Sequence, residues 1–356
     1  MMGCGRQLGM ARAIRVNVKD GWYHVTARGI ERKAIFKDTR DHKHFLELLE
    51  DMSKRYGVEV HAYCLLVNHY HLLIRTPRAN ASRAIQWLDV SYGVWFNRKR
   101  RRSGHVFQGR FGGVLIDGEG SWALDASVYI HLNPIRTQGY GLEKSANKAE
   151  ALGWVEPDRE QLKRRLEALR EFEWSSFRAY AGYCAKPGWL VTEELEKRAG
   201  GRREYREYVQ EHVTRGADPA GYEDLRGRLA LGSVEFREKV KRWVGKVSKE
   251  QPLRRVLESA VRIETIVQMV EDERGESWAE FANRHGDWGR DLVIYLARKR
   301  TGLTLAEIGK ALGGLEYKTA GKAVQRFEAS LATKPERRTL ARSLLDKLSL
   351  VEIRPL

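Results

Sequence analysis

The sequence predicts an α+β protein: an antiparallel sheet with packed helices, followed by an all-α region. Three observations predict it. The first 141 residues contain short aromatic and β-branched runs that stop at glycines. Between those runs lie segments whose apolar residues recur at helical spacing. Beyond about Gly141 the strand pattern disappears, and the chain becomes charged, helical and punctuated by glycine.

Gly21 to Arg28 (GWYHVTAR) reads as a strand that turns at Gly29. Asp38 to Tyr56 follows as a helix, with Phe45, Leu46, Leu48, Leu49 and Met52 on one face. Val58 to Val67 is a largely apolar strand, and after a turn at Asn68, His69 to Arg75 is its hairpin partner. Ala81 to Asn97 is a second helix, burying Ile85, Leu88, Tyr92 and Trp95 or Phe96. His105 to Asp117 returns as a strand interrupted by glycines, and Ser121 to Asn133 is a third helix that Pro134 stops. Glu156 to Glu173 is a charged helix, after which Trp174, Phe177 and Tyr180 pack back onto the first domain. Helical patterns between 200 and 276 are broken at Gly201, Gly216, Gly221 and Gly232, with no visible chemistry. Near the end, Asp291 to Lys299, Leu303 to Leu312, a turn at Gly313-Gly314, and Tyr317 to Ala329 form a helix-turn-helix pattern, one that plain helical packing modules also share. The expected organisation is a tail at 1–16, an α+β domain at 17–141, an extension at 142–199, a helical linker at 200–286 and a helix-turn-helix domain at 287–345.

The chain of 356 residues carries 64 Lys and Arg against 47 Asp and Glu, a formal charge of +17. Such an excess points to a polyanionic partner, nucleic acid before a membrane surface. No apolar run is long enough to span a bilayer, no lipidation signal is visible, and Met1 to Met10 lacks a secretory apolar segment. Cys4, Cys64 and Cys184 are sparse and have no zinc spacing, which fits a reducing compartment. The expected location is the cytoplasm, in association with the nucleoid.

The sharpest local feature is Asn68-His69-Tyr70-His71. On a strand, residues two apart share a face at roughly 6.6 Å, so two imidazoles can converge on one metal while Tyr70 turns away. Taken alone, the pair is also what a half-exposed sheet face shows. Tyr129 and Asn133 stand at i and i+4 on one helix face, a phenol and an amide projecting together. Read alone, they are equally a core aromatic and a helix end. His131 should point elsewhere. The run Arg98, Lys99, Arg100, Arg101 and Arg102 joins two elements of the same domain; a solvated charge run is the usual reading, but this placement favours a phosphate-binding loop, with Gln108 and Arg110 adding base contacts and Phe107 either stacking or core.

The segments YHVTARG, F-K-D, LLVNHYHLLI, GHVFQGRF and YIHLNP, in that order over about Gly21 to Gly141, resemble the REP-associated tyrosine transposases. These are relatives of the small insertion-sequence transposases with a His-hydrophobic-His motif. The resemblance implies a ferredoxin-like fold and metal-dependent transesterification on hairpin-forming single-stranded DNA. It makes His69 and His71 metal ligands, Tyr129 the nucleophile and Asn133 a third, amide ligand, with Mg²⁺ or Mn²⁺ as cofactor. Where the family has an aliphatic residue between the histidines, this chain has Tyr70. GLTLAEIGKALGG with YKTAGKAVQRF resembles the duplex-binding domain of bacterial replication initiators, which makes Lys318, Thr319 and Lys322 candidate contacts to flanking duplex. Two rival readings are a non-catalytic DNA-binding regulator and a replication or mobilisation nickase; a pure binder has no need of His69, His71, Tyr129 and Asn133 together.

Overall fold

The computed structural model describes residues 16–142, 150, 155–214, 229–244, 261–284, 286–301, 303 and 305–351. Cys4, most of the expected N-terminal tail, Gly216 and Gly221 lie outside these residues.

The N-terminal part is built as β1 (Gly21–Arg28), α1 (Thr39–Tyr56), β2 (Glu59–Leu66), β3 (His69–Thr76), α2 (Ala81–Lys99) and β4 (Gly112–Ile116). With β5 at Ala230–Leu231, the sheet order is β2-β3-β1-β4-β5, and the first four strands pair antiparallel. This split βαβ arrangement is the expected ferredoxin-like one. Two details differ from the sequence reading. The stretch from His105 to Ile116 is not one strand: Phe107 makes an isolated bridge to Gly29, and Gly109, in the left-handed region at φ 72°, breaks the path to β4. The sheet also gains β5 (Ala230–Leu231), which pairs parallel to β4 from a stretch that reads as purely helical.

Each strand residue is assigned to one sheet face by parity. Tyr23, Val25, Ala27, Leu72, Ile74 and Leu115 join Phe45, Leu49, Met52, Ile85, Leu88, Tyr92 and Phe96 of α1 and α2 in one core. Trp22, Ala62, Cys64, Leu73 and Ile116 belong to a second core on the other face. That core is closed by α3 (Trp122–Leu132), α4 (Arg159–Glu171), α5 (Phe177–Ala181), α6 (Glu193–Ala199) and α7 (Arg202–Thr214). The extension docks on the main chain of β2: Leu65 N–H donates to Trp174 O at 2.8 Å, and Tyr180 Oη donates to His61 O at 2.7 Å.

After α8 (Val234–Val244), a third core gathers α9 (Ile263–Arg274), α10 (Trp278–Phe281), α11 (Gly289–Arg300), α12 (Leu305–Ala311), α13 (Tyr317–Thr333) and α14 (Pro335–Val351). The stretch read from sequence as a linker thus contributes α7 to the second core and α9 and α10 to the third. Between α12 and α13 the turn needs its glycines. Gly313 and Gly314 sit at φ 99° and 84°, and a Cβ at Gly309 would lie 2.2 Å from Leu315 O. Among the described residues, no helix is long and apolar enough to cross a membrane.

Candidate active site

His69 and His71 lie on β3, and β1 supplies the residues opposite them, Arg28 across from His69 and Thr26 across from His71. Parity therefore brings His24, Thr26 and Arg28 to the histidine face. Tyr70 points into the other core, fully buried, with its hydroxyl donating to Asp89 Oδ1 at 2.6 Å. The imidazoles of His69 and His71 stand 5.1 Å apart between ring centroids.

Helix α3 covers this face. Nearly all of its residues are buried, whereas Tyr129 is half-buried and meets the histidines edge-on. Its ring centroid lies 6.1 Å from that of His71 and 5.6 Å from that of His24. Asn133 caps the helix, its amide nitrogen donating to Tyr129 O at 2.8 Å and, more weakly, to Ile130 O at 3.4 Å. Pro134 does not end the helix abruptly, because Asn133–Ile135 continue it as a 3₁₀ turn. That turn carries Arg136, whose guanidinium lies 4.4 Å from the centre of the Tyr129 ring.

Burial keeps the imidazoles neutral. Desolvation, with Arg28 adding repulsion, pushes His69 down to about 4. His71 is held well below the ordinary range by burial, by His24 and His69, and by Arg136 and Arg28. Burial pushes His24 down to about 3. A neutral imidazole is the form that binds a metal. Among the described residues, no group of three or more His, Cys, Asp and Glu side chains is placed to hold a metal ion. A metal here would rest on His69 and His71, with the Asn133 amide oxygen and water completing the shell. The imidazole pair fits: His69 Nδ1 is bonded to Asn68 Oδ1 at 2.7 Å and His71 Nδ1 to His24 Nε2 at 2.9 Å, so on each ring Nε2 is the nitrogen that those bonds leave.

His131 is structural. Its Nε2 meets Ser176 Oγ at 2.7 Å and its Nδ1 meets Tyr205 Oη at 2.8 Å, all fully buried, which ties α3 to the extension and to α7. The basic run divides. Lys99 bonds Asp38 and Asp41 at 2.8 Å, and Arg100 pairs with the same two carboxylates. Cations at the end of α2 meet carboxylates at the start of α1, where helix dipoles favour each, so these two pin the helix ends together. Arg98, Arg101 and Arg102 remain exposed, as do Gln108 and Arg110, whereas Phe107 is buried in the first core. Lys318 and Lys322 are exposed along α13 and Thr319 is half-buried.

Residues 17–131 match the family model "Transposase IS200 like". Over this segment the chain is similar to IS200-like transposases. No curated protein matches the chain. Among solved structures it is similar to a REP-associated tyrosine transposase bound to a REP hairpin, with 16% identity, a TM-score of 0.35, and coverage of 51% of this chain and 92% of that one. The sequence reading missed His24, Arg28 and Arg136 at the candidate site. Strand parity within YHVTARG is the signal that flags the first two, while Arg136 carries no such signal.

Proposed function

We propose that the protein nicks and rejoins hairpin-forming single-stranded DNA through a 5′-phosphotyrosine on Tyr129. The convergence of the Tyr129 ring on His71 across the α3–sheet interface carries this reading. The motif resemblance and the similarity to IS200-like transposases support it.

Tyr129 Oη attacks phosphorus. The new P–O bond forms to the phenol oxygen as the bond to the 3′ oxygen breaks; the phenol proton departs, and the leaving oxygen takes one up. Because the ester is conserved, rejoining is the reverse step and needs no nucleotide. A free phenol near pKa 10 is a weak nucleophile at neutral pH. The Arg136 guanidinium over the ring favours the electron-rich phenolate as the proton leaves, and with Arg28 it gives the site a positive field for phosphate. When bound, a divalent metal would polarise the scissile phosphate. With two imidazoles in the ligand set, Mn²⁺ should support cleavage at least as well as Mg²⁺.

Tyr129→Phe tests the assignment: incubated with hairpin DNA and Mn²⁺, it should form no covalent adduct on a denaturing gel while binding the DNA as well as the parent chain. An adduct that persists would sink it.

For the C-terminal unit, we propose that α12 and α13 hold duplex beside the nuclease, with Lys318, Thr319 and Lys322 as contacts, raising the local concentration of the hairpin. The third core begins at Val261, so cutting the chain near Gly286 would expose the apolar faces of α9 and α10. Charge reversal in the intact chain is the cleaner test. Lys318→Glu with Lys322→Glu should weaken duplex binding and lower its log–log salt slope by about 2. Unchanged duplex affinity would remove the tether, and hairpin cleavage should be spared.

A further inference from the structure

The hairpin tip that carries the histidines is clamped from outside. The turn after β1 folds over it: Gly29 N–H donates to Asn68 O at 2.8 Å, and Ile35 and Phe36 both donate to Val67 O, at 2.9 and 3.0 Å. Glu31 and Arg32 enter the left-handed region, at φ 54° and 58°, to make that turn. It delivers the Arg32 carbonyl to the Asn68 side chain, whose Nδ2 donates to it at 3.0 Å.

This contact decides which way the amide faces. A carbonyl oxygen can only accept, so the NH₂ of Asn68 must face Arg32 and its oxygen must face His69. An amide oxygen can only accept as well. The His69 nitrogen 2.7 Å away, Nδ1, therefore carries the proton. A neutral imidazole has one N–H and one lone pair, which leaves the lone pair on Nε2. For His71 the partner is another imidazole, since its Nδ1 lies 2.9 Å from His24 Nε2 in a buried contact. One proton is shared between those atoms. When it sits on His71, the lone pair of His71 is on Nε2, matching His69.

We propose that Asn68 and His24 are positioning residues that fix the tautomers of His69 and His71, so that both rings offer Nε2 to one divalent cation. The inference rests on the metal-dependent reading above. It goes further in naming the coordinating atom on each ring and the two residues that select it. A histidine on strand β1 and a carbonyl in the turn behind the hairpin thereby become parts of the site. Free imidazoles mix their tautomers, and each wrong one puts a proton where the cation must bind.

Long-range ¹H–¹⁵N correlation of the metal-free chain reads the tautomers directly, and Mn²⁺ titration followed by electron paramagnetic resonance reads affinity without any turnover. In the unmodified protein both histidines should show Nδ1–H. Asn68→Ala should let His69 populate Nε2–H and weaken Mn²⁺ binding on the order of 10- to 100-fold. Asn68→Asp, which keeps an acceptor for Nδ1–H, should restore the His69 tautomer and most of the affinity. His24→Leu should shift His71 in the same way, and His24→Gln, with its carbonyl oxygen, should recover it. An Nε2–H signal for His69 or His71 in the unmodified chain overturns the inference, as does Mn²⁺ affinity unchanged in both Asn68→Ala and His24→Leu. Nδ1–H tautomers that follow these substitutions, in a chain that takes up no Mn²⁺, would support the hydrogen-bond assignment and sink the metal-site reading instead.

Discussion

The two faces of the sheet are built to different ends. Against α1 and α2 the core is mainly apolar, and among the phenols that enter it Tyr70 Oη donates to Asp89 Oδ1 and Tyr92 Oη to Ile35 O. Against α3 the face carries His24 and His71, with Ser127, His131 and Asn133 buried on or just beyond the helix itself. Tyr70 and His71 are chain neighbours, yet one is core and the other belongs to the candidate site. One strand thus carries core residues and candidate-site residues side by side, because parity keeps them on opposite faces.

The largest expected effect breaks the apolar face. Phe45 is fully buried among Phe36, Tyr70 and Tyr92, so Phe45→Ala should cost about 3–5 kcal/mol in urea unfolding. A loss below about 1 kcal/mol would mean that this face is not the main store of stability. Arg136→Ala sharpens the other side. It should lower the cleavage rate about 100-fold, by analogy with losing one charge-stabilising donor, while the unfolding midpoint stays close to the parent's. A rate unaffected by that change would leave Arg136 as packing only.

A third prediction concerns the pH dependence of stability. Burial pushes His24 and His131 down to about 3 and His69 to about 4. In the unfolded chain these groups take up protons near 6.5. Between those values the unfolded state binds more protons, so stability is fully present above about 6.5 and declines as pH falls toward 4. Thermal melts from pH 8 to pH 4 should show the midpoint dropping steadily below about 6.5; a flat profile would show that the polar face is not held neutral.

Periodicity and motif order made much of this protein legible from its sequence. Local rules place His69 and His71 on one face with Tyr70 on the other, put Tyr129 and Asn133 a helical turn apart, and mark Gly313-Gly314 as a turn. These depend on neighbours within a few residues, and such spacing is written in the chain. Tertiary structure decided what depends on distant partners. His24 meets His71 47 positions away. Arg136 reaches the Tyr129 ring only because a 3₁₀ turn follows the Asn133 cap. Lys99 and Arg100 are drawn to Asp38 and Asp41 because two helix ends of opposite dipole are packed together. Likewise, β5 exists only because β4 offers it an edge, and two residues carry no period of their own. Thus the sequence by itself determined which residues share a face, while packing determined which strands and faces meet and, on the shared face, which nitrogen of His71 is engaged by His24.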